Sequence, residues 1–183
     1  ISFGPDDGSA MRARLLKAFD HFVDVRQSSD EEIAARLRSL EIDIAIDLKG
    51  YTAQARPGIF AHRAAPIQVN YLGFPGTLGS PFIDYIIADN WVAPPEHADG
   101  FSEKIVALPG SYQVNDARRV ISTRAPNRAE VGLPDDAFVF CCFNNNYKIT
   151  PSVFDVWMRL LGQCPGSVLW LLSSNPQADA NLR

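Results

Sequence analysis

The pattern of apolar and polar positions in the first quarter of the chain predicts a helix followed by a strand. Residues 29–32, Ser-Asp-Glu-Glu, fit a capping box, in which the serine hydroxyl accepts the third amide of the helix and the glutamate reaches back. The helix that follows is predicted to bury Ile33, Leu37 and Leu40 on one stripe. Residues 42–47 then alternate apolar and polar and predict a strand. This order is one helix-to-strand unit of an α/β sheet.

Further elements are predicted on both sides of this unit. The turn at residues 6–9 opens a helix whose apolar stripe is Met11, Leu15, Phe19 and Phe22. Three more apolar runs predict strands, at residues 67–72, 84–89 and 105–108. Residues from about 110 to 136 carry Pro, Asn, Arg and Gly without an apolar period, so we interpret them as a connection between domains.

The α/β pattern restarts after this connection. Residues 137–143 are a continuous apolar strand, typical of a parallel sheet that is covered on both faces. After a polar turn, Thr150 caps a predicted helix that has Pro151 at its first position and ends at Gly162. Residues 167–172 predict the next strand.

One α/β pattern finishing and another starting predict a protein of two doubly wound domains, both incomplete in this chain. We place the first over residues 1–125 and the second over residues 126–183. The chain opens at Ile1-Ser2 without Met and stops at Leu182-Arg183, inside the predicted first turns of a helix. We therefore expect it to be an internal piece of a larger protein.

Composition narrows the classes of function. Hydrophobic residues make up 46% and charged residues 21% of the 183 residues, the balance of a soluble globular protein. The net charge of −4 supplies no basic field for nucleic acid or an anionic membrane. No window approaches the ~18 apolar residues of a membrane span. Cys141 and Cys142 are neighbours in an apolar run, which predicts a reduced, buried pair in a cytoplasmic protein.

The strand–turn–helix from Phe143 to Pro151 is the strongest candidate site. Ligands in open α/β sheets bind at the carboxyl ends of strands, beside helix N-termini whose amides attract phosphate. Lys148 in this turn is a cation able to neutralise a diphosphate without a metal, and Asn145 is a side-chain donor. The alternative is an ordinary turn with a solvated lysine.

Two other strand ends run into polar or glycine-rich loops. Residues 72–79 form a Gly/Pro loop that would let a ligand approach the backbone, although a structural turn gives the same pattern and no nucleotide fingerprint is present. Asp47 ends a strand with Arg56 a few residues on; its carboxylate is either a general acid or base or a helix cap. The three histidines are scattered and show neither catalytic-triad nor metal-ligand spacing.

Taken together, these segments resemble the catalytic region of the protein O-GlcNAc transferases, family 41 glycosyltransferases of the two-Rossmann GT-B type. Among the motifs are Asp-Leu-Lys-Gly-Tyr-Thr at 47–52, Leu-Gly-Phe-Pro-Gly-Thr at 72–77 and Tyr-Lys-Ile at 147–149. The other matching segments, in chain order, are Arg56, 65–68, 84–87, 102–104, 132–134, 142–144 and 167–172. The series covers nearly the whole chain.

The resemblance implies roles for individual residues. Lys148 matches the lysine that holds the donor's pyrophosphate and stabilises the departing UDP. Asn145 matches a position where relatives often carry Gln in contact with the nucleotide. Arg56 sits where the family has an arginine near the cleft, a possible acceptor contact. The loop that lines the sugar pocket in the family is matched here by Leu72, Gly73 and Pro75.

The resemblance also implies a reaction and partners. An acceptor hydroxyl of a protein Ser or Thr attacks the anomeric carbon of UDP-GlcNAc with inversion, and no metal or other cofactor is required. Tetratricopeptide repeats are expected in the parent protein, which resembles the bacterial type because the long insertion of animal enzymes is missing here. Catalytic candidates of the family lie upstream of Ile1 and much of the uridine site lies downstream of Arg183. The chain alone is therefore expected to be inactive.

Three alternatives remain open at this stage. The SPINDLY-like branch of the family uses GDP-fucose, and Tyr147 before Lys148 favours the O-GlcNAc branch over it. A two-Rossmann epimerase would need clustered ionisable residues, and none is seen in the sequence. A non-catalytic interaction module would keep the fold and lose the chemistry; the presence of Lys148 in its turn speaks against it.

Overall fold

The computed structural model describes residues 1–182 and divides the chain into two compact units, residues 1–117 and 118–183. The division falls inside the stretch predicted to connect two domains. The assignment of residues 1–125 and 126–183 to two lobes of a larger enzyme stays a prediction. No helix within residues 1–182 has the length and apolar character needed to cross a bilayer.

The first unit is built on a four-stranded parallel sheet in the order β1-β2-β3-β4. Its helices and strands, in chain order, are α1 (Ala10–Ala18), α2 (Asp30–Ser39), β1 (Ile44–Asp47), α3 (Gly58–Ala61), β2 (Ile67–Tyr71), β3 (Tyr85–Ala88) and β4 (Lys104–Ala107). All four predicted strands of this part are confirmed. Because the strands are parallel, the loops that follow them all leave the same edge of the sheet.

Helix α2 starts as its sequence predicts. The Ser29 hydroxyl oxygen accepts the amide of Glu32 at 3.2 Å, and the Glu32 carboxylate accepts the amide of Ser29 at 2.7 Å. Ile33 is fully buried in the core between α2, α3 and the sheet, and Leu37 packs against that core. The predicted burial of Leu40 is wrong: this residue caps the helix C-terminus and is exposed.

Helix α1 is shorter than its apolar stripe predicts. It ends at Ala18, so Phe19 and Phe22 lie outside it. None of its residues is buried, and Met11 and Leu15 are exposed. A short amphipathic helix gains little without a surface to pack against, and α1 makes no extensive contact with another element among residues 1–182.

The second unit contains a two-stranded parallel sheet. Its elements are β5 (Val139–Cys142), α4 (Pro151–Gln163), β6 (Val168–Leu171) and α5 (Pro176–Asn181). Thr150 caps α4 by accepting the amide of Val153, and Pro151 occupies the first turn, as predicted. Helix α4 runs one residue past Gly162 and is capped by Cys164. The α/β class with parallel sheets is therefore confirmed in both units.

The predicted burial of the cysteine pair is wrong. Cys141 is exposed and Cys142 is half-buried; both are free thiols. Cys142 shares a cavity of about 120 Å³ with side chains of α4, among them Trp157 and Leu161. Cys141 is paired in register with Trp170 and, by alternation, faces the other side of the strand from Cys142. Cys141 also lines the cavity beside α4, so both cysteines lie near this helix although neither is fully enclosed.

Candidate functional site

The loops that follow β1 and β2 pack closely against each other at the carboxyl edge of the first sheet. Gly50 has a φ of +52°, and a Cβ built on it would overlap the side chain of Phe74. A Cβ on Gly73 would overlap the carbonyl oxygen of Leu48 and lie 2.9 Å from the Cα of Lys49. Only glycine permits this approach of the two backbones.

Two polar side chains, Asn70 and Tyr51, hold the loop of residues 72–79. Asn70, at the end of β2, is fully buried, and its side-chain nitrogen donates to the carbonyls of Phe74 at 3.2 Å and Gly76 at 3.0 Å. The Tyr51 hydroxyl donates to the carbonyl of Leu78 at 2.6 Å. The Tyr51 ring meets the Phe74 ring edge-on, with centroids 5.7 Å apart. The loop therefore has a fixed shape before any ligand arrives.

A second anchor comes from the segment just before β4. Glu103 is 5% exposed, and its carboxylate accepts the amide of Leu78 at 2.7 Å and the hydroxyl of Thr77 at 2.6 Å. The Thr77 hydroxyl oxygen in turn accepts the amides of Gly79 at 3.0 Å and Ser102 at 3.3 Å. This hydrogen-bonded group joins the loop after β2 to the start of β4.

The predicted sugar-pocket residues lie on the outer side of this anchored loop. Gly73 and Pro75 are exposed, and Leu72 is half-buried. Leu72 has a φ of +74°, a left-handed conformation that costs a non-glycine residue roughly 1–2 kcal/mol. Backbone strain of this kind concentrates at functional positions, where the surrounding structure enforces it. The predicted donor contacts of these three residues remain a prediction.

Asp47 acts locally as a cap for the loop after β1. It is 6% exposed, and one carboxylate oxygen accepts the amide of Lys49 at 2.9 Å. Because Asp47 turns the backbone of its own loop, it is not the cap of the following helix that the sequence suggested as an alternative to catalysis.

Arg56, predicted as a possible cleft residue, has its guanidinium occupied by the protein. It contacts the carboxylate of Asp30 at 2.6 Å and donates to the carbonyls of Ser28 at 2.7 Å and Val25 at 3.4 Å. A Cβ on Gly58 would overlap that Asp30 carboxylate, so glycine makes room for the ion pair. Arg56 thus fastens the segment after β1 to the start of α2.

The loop after β3 is organised by one carboxylate. Asp89 is 3% exposed and accepts the amides of Trp91 and Val92 at 2.9 Å each and of Tyr112 at 2.7 Å. These amides, that of Tyr112 first, hold the pKa of the Asp89 carboxyl below its ordinary value, because they favour the ionised form; burial opposes them. Tyr112 lies after β4, and its carbonyl accepts the Tyr71 hydroxyl at 3.0 Å, which ties the segment after β4 to β2.

The predicted phosphate site lies in the second unit, in the turn between β5 and α4. Residues 146–148 form one turn of 3-10 helix, closed by the amide of Lys148 donating to the carbonyl of Asn145 at 3.0 Å. Asn145 and Lys148 are exposed, and Tyr147 is 76% exposed. Within residues 1–182 the Lys148 ammonium has neither a hydrogen bond nor an ion pair.

The predicted donor contacts therefore form two groups. One lies in the first unit on the loop after β2, and the other lies in the second unit before α4. Among residues 1–182, no three His, Cys, Asp or Glu side chains cluster in a way that could hold a metal ion.

Sequence reasoning missed the residues that hold the loop after β2, which are Tyr51, Asn70, Thr77 and Glu103. A signal for one of them was present: Gln68 and Asn70 are polar residues inside an apolar strand, and both are fully buried. Buried amides of this kind carry hydrogen bonds. Glu103 belongs to a matching segment of the resemblance, but nothing local in the sequence indicates its partner.

Both parts of the chain are similar to known proteins. The model of glycosyl transferase family 41 matches residues 1–127 and 118–183. A probable UDP-N-acetylglucosamine–peptide N-acetylglucosaminyltransferase of Arabidopsis thaliana, SEC, is 43% identical over 172 residues, covering 91% of this chain and 18% of that protein. The Caenorhabditis elegans UDP-N-acetylglucosamine–peptide N-acetylglucosaminyltransferase is 27% identical, with 97% and 25% covered.

Similarity extends to a solved structure. A mutant O-GlcNAc transferase of Thermobaculum terrenum matches with a TM-score of 0.80 and 29% identity, over 95% of this chain and 33% of that one. A probable UDP-N-acetylglucosamine–peptide N-acetylglucosaminyltransferase SPINDLY of Petunia hybrida is 35% identical, with 86% of this chain and 17% of that protein covered. This chain spans about a fifth of the length of these curated relatives. The family model and the relatives agree, and the chain belongs to glycosyl transferase family 41.

Proposed function

We propose that the protein containing this chain transfers N-acetylglucosamine from UDP-GlcNAc to Ser or Thr hydroxyls of proteins, with inversion at the anomeric carbon. The observation that carries the proposal is Lys148: in a chain that matches family 41 from end to end, this lysine stands exposed and without a partner among residues 1–182. A cation in that state is available to a diphosphate.

In the proposed reaction the acceptor oxygen forms a bond to the anomeric carbon while the bond from that carbon to the diphosphate oxygen breaks. The electron pair of the broken bond stays on UDP, so negative charge grows there. Lys148 and the first amides of α4 stabilise this charge, which a bound metal does in other glycosyltransferases. The loss of one such charge-stabilising contact costs roughly 3–4 kcal/mol of barrier.

The loop after β2 carries further proposed donor contacts. Leu72, Gly73 and Pro75 contact the sugar, and Asn145 donates to the nucleotide. Arg56 supports the site from a distance, because its guanidinium is bound to Asp30 and to backbone carbonyls. Since the chain spans only about a fifth of its curated relatives, we assign the activity to the full-length protein and expect the 183-residue chain alone to be inactive.

The acceptor is proposed to be a protein, recruited by tetratricopeptide repeats elsewhere in a cytoplasmic parent protein. These expectations come from the family resemblance. The names of the relatives support a peptide acceptor, since each similar plant and nematode protein is called a peptide N-acetylglucosaminyltransferase.

The test is a transfer assay with the full-length protein and two donors, UDP-GlcNAc and GDP-fucose. Mass spectrometry of the acceptor identifies the sugar and the modified residue, and NMR of the product identifies the anomer. A β-linked N-acetylglucosamine on Ser or Thr is the expected product. Transfer of fucose alone would move the protein to the SPINDLY-like branch, and binding of neither donor would show that the chemistry has been lost.

A further inference from the structure

We infer that Thr77 and Glu103 act together as a positioning pair that sets the shape of the loop of residues 72–79, and thereby the affinity for the sugar part of the donor. The inference rests on the proposed function, which places the sugar against this loop. It adds two residues that touch neither donor nor acceptor. The pair joins two sequence motifs that lie 26 positions apart.

The hydrogen bonds of the Thr77 hydroxyl each have a defined direction. A threonine hydroxyl has one hydrogen to donate. The Glu103 carboxylate can only accept, so the Thr77 hydrogen points at Glu103, at 2.6 Å. The amides of Gly79 and Ser102 can only donate, so they point at the lone pairs of the Thr77 oxygen. The roles of the hydroxyl towards Glu103 and the two amides are thus determined, and the Ser102 hydroxyl lies a further 3.2 Å from the Thr77 oxygen. Of the other side chains, only serine offers the same hydroxyl at this position.

The buried carboxylate of Glu103 depends on its two hydrogen bonds. Glu103 is 5% exposed, and neither of its two strong hydrogen bonds goes to a cation. A buried carboxylate needs its hydrogen bonds, because leaving a buried polar group without a partner is costly. Glu103 therefore holds both the Thr77 side chain and the Leu78 backbone in place, and neither can move without the other.

Thr77 and Glu103 act at the C-terminal end of the loop of residues 72–79. Asn70 holds the loop at Phe74 and Gly76, while Thr77 and Glu103 hold its last residues. Between these anchors and the end of β2 lies Leu72 in its left-handed conformation. A strained backbone conformation such as that of Leu72 persists only while the surrounding structure enforces it. Releasing the second anchor is expected to let the sugar-facing residues shift.

Two substitutions test the pair with little change in shape. Thr77→Val removes the hydroxyl and keeps the volume. Glu103→Gln keeps the shape but has a single accepting oxygen, so it cannot accept from both Leu78 and Thr77. Its amide nitrogen would face the Thr77 oxygen, whose lone pairs already accept the amides of Gly79 and Ser102. Thr77→Ser retains the hydroxyl and is expected to behave as the wild type. Matched changes at exposed positions, Thr123→Val and Glu31→Gln, control for the chemistry of the substitution.

The measurement is the affinity of the full-length protein for UDP-GlcNAc and, separately, for UDP. Both variants are expected to bind UDP-GlcNAc roughly tenfold more weakly and UDP with unchanged affinity, since UDP lacks the sugar that the loop meets. The KM for UDP-GlcNAc rises accordingly, and Thr77→Ser restores it. Equal weakening of both ligands, or no weakening of either, would overturn the inference.

Amide hydrogen exchange separates this inference from the proposed function. If the wild type binds neither UDP-GlcNAc nor UDP, the proposed function is wrong, and the exchange of residues 77–79 still reports on the pair. Faster exchange of these amides in Thr77→Val and Glu103→Gln, with wild-type melting temperatures, supports a role in fixing the loop. Unchanged exchange overturns it whichever donor the protein uses.

Discussion

The loop after β2 and the turn after β5 both carry predicted donor contacts, yet the protein holds them in opposite ways. The first is tied to buried polar side chains, Asn70 and Glu103, and includes a residue in a strained conformation, Leu72. The second is closed by backbone hydrogen bonds around residues 145–149, and within residues 1–182 its Lys148 side chain has no partner. One region is preorganised, whereas the other presents a charge.

The difference follows from what each region is proposed to recognise. A neutral sugar is distinguished by the shape of its pocket, and a pocket fixed in advance loses little entropy when the ligand binds. A diphosphate is recognised by charge, and an ammonium on a flexible stem adapts to it. The two units also differ in their cores. Among residues 1–182, the buried apolar residues lie in the first unit, with the exception of Ala137.

The largest effect on activity is expected for Lys148, in the turn after β5. Lys148→Ala should lower the rate of transfer by roughly 100- to 1,000-fold, because growing charge on UDP loses its cation. Stability should not change, since Lys148 is exposed and unpaired within residues 1–182. Transfer assays and thermal unfolding of the full-length protein measure the two effects. Lys17→Ala, an exposed lysine on α1, is the control; equal activities of the two variants would refute the assigned role.

Substitution of Arg56 should lower the stability of the protein and leave its substrate binding unchanged. Arg56→Ala leaves the Asp30 carboxylate and two backbone carbonyls without a partner and is expected to lower the free energy of unfolding by about 1.5–3 kcal/mol. The KM values for donor and acceptor should stay the same. Arg56→Lys should lie between, because an ammonium cannot reproduce the forked contacts. A variant with normal stability and a raised acceptor KM would instead support the cleft role suggested by the family resemblance.

Gly73→Ala tests how rigid the preorganised loop is. Its Cβ would meet backbone atoms of Leu48 and Lys49, which cannot rotate away, so the loop must shift. We expect a loss of about 1–3 kcal/mol in denaturant unfolding, together with weaker binding of UDP-GlcNAc. Gly100→Ala, where a Cβ meets nothing within 4 Å, should stay within about 0.5 kcal/mol of the wild type. Equal stability of both variants would mean that the loop yields easily.

The smallest effect is expected in the neighbouring loop after β3 and depends on pH. The folded protein lowers the pKa of Asp89, so the ionised carboxylate contributes stability above its ordinary pKa of about 4, and this contribution is lost as the pH falls through the folded-state value. Asp89→Asn lacks the contribution. Its free energy of unfolding should therefore fall below that of the wild type at pH 7, and the two should converge below about pH 4. If the difference in the free energy of unfolding between the wild type and Asp89→Asn did not change with pH, the ionised Asp89 carboxylate would not be its cause.

Local patterns sufficed for much of the fold. The capping box at Ser29, the Thr150-Pro151 helix start and the six strands were predicted because each depends on neighbours within a few positions. The errors occurred where burial depends on distant residues. Leu40 and Cys141 are apolar or weakly polar and were expected inside, but both are exposed.

The sequence by itself determined the α/β class, the parallel strands, the family and the position of Lys148 at a strand–helix junction, because these follow from periodicity, capping and ordered motifs. The tertiary structure alone decided that Arg56 is held by Asp30, that Asn70 lies beneath the loop after β2 and that Thr77 meets Glu103. These contacts join residues brought together by the fold, in part through the register of parallel strands and the close approaches that Gly50, Gly58 and Gly73 allow. Hydrogen bonds act over about 3 Å in space, whatever the separation in sequence, and a pattern of neighbours does not contain that information.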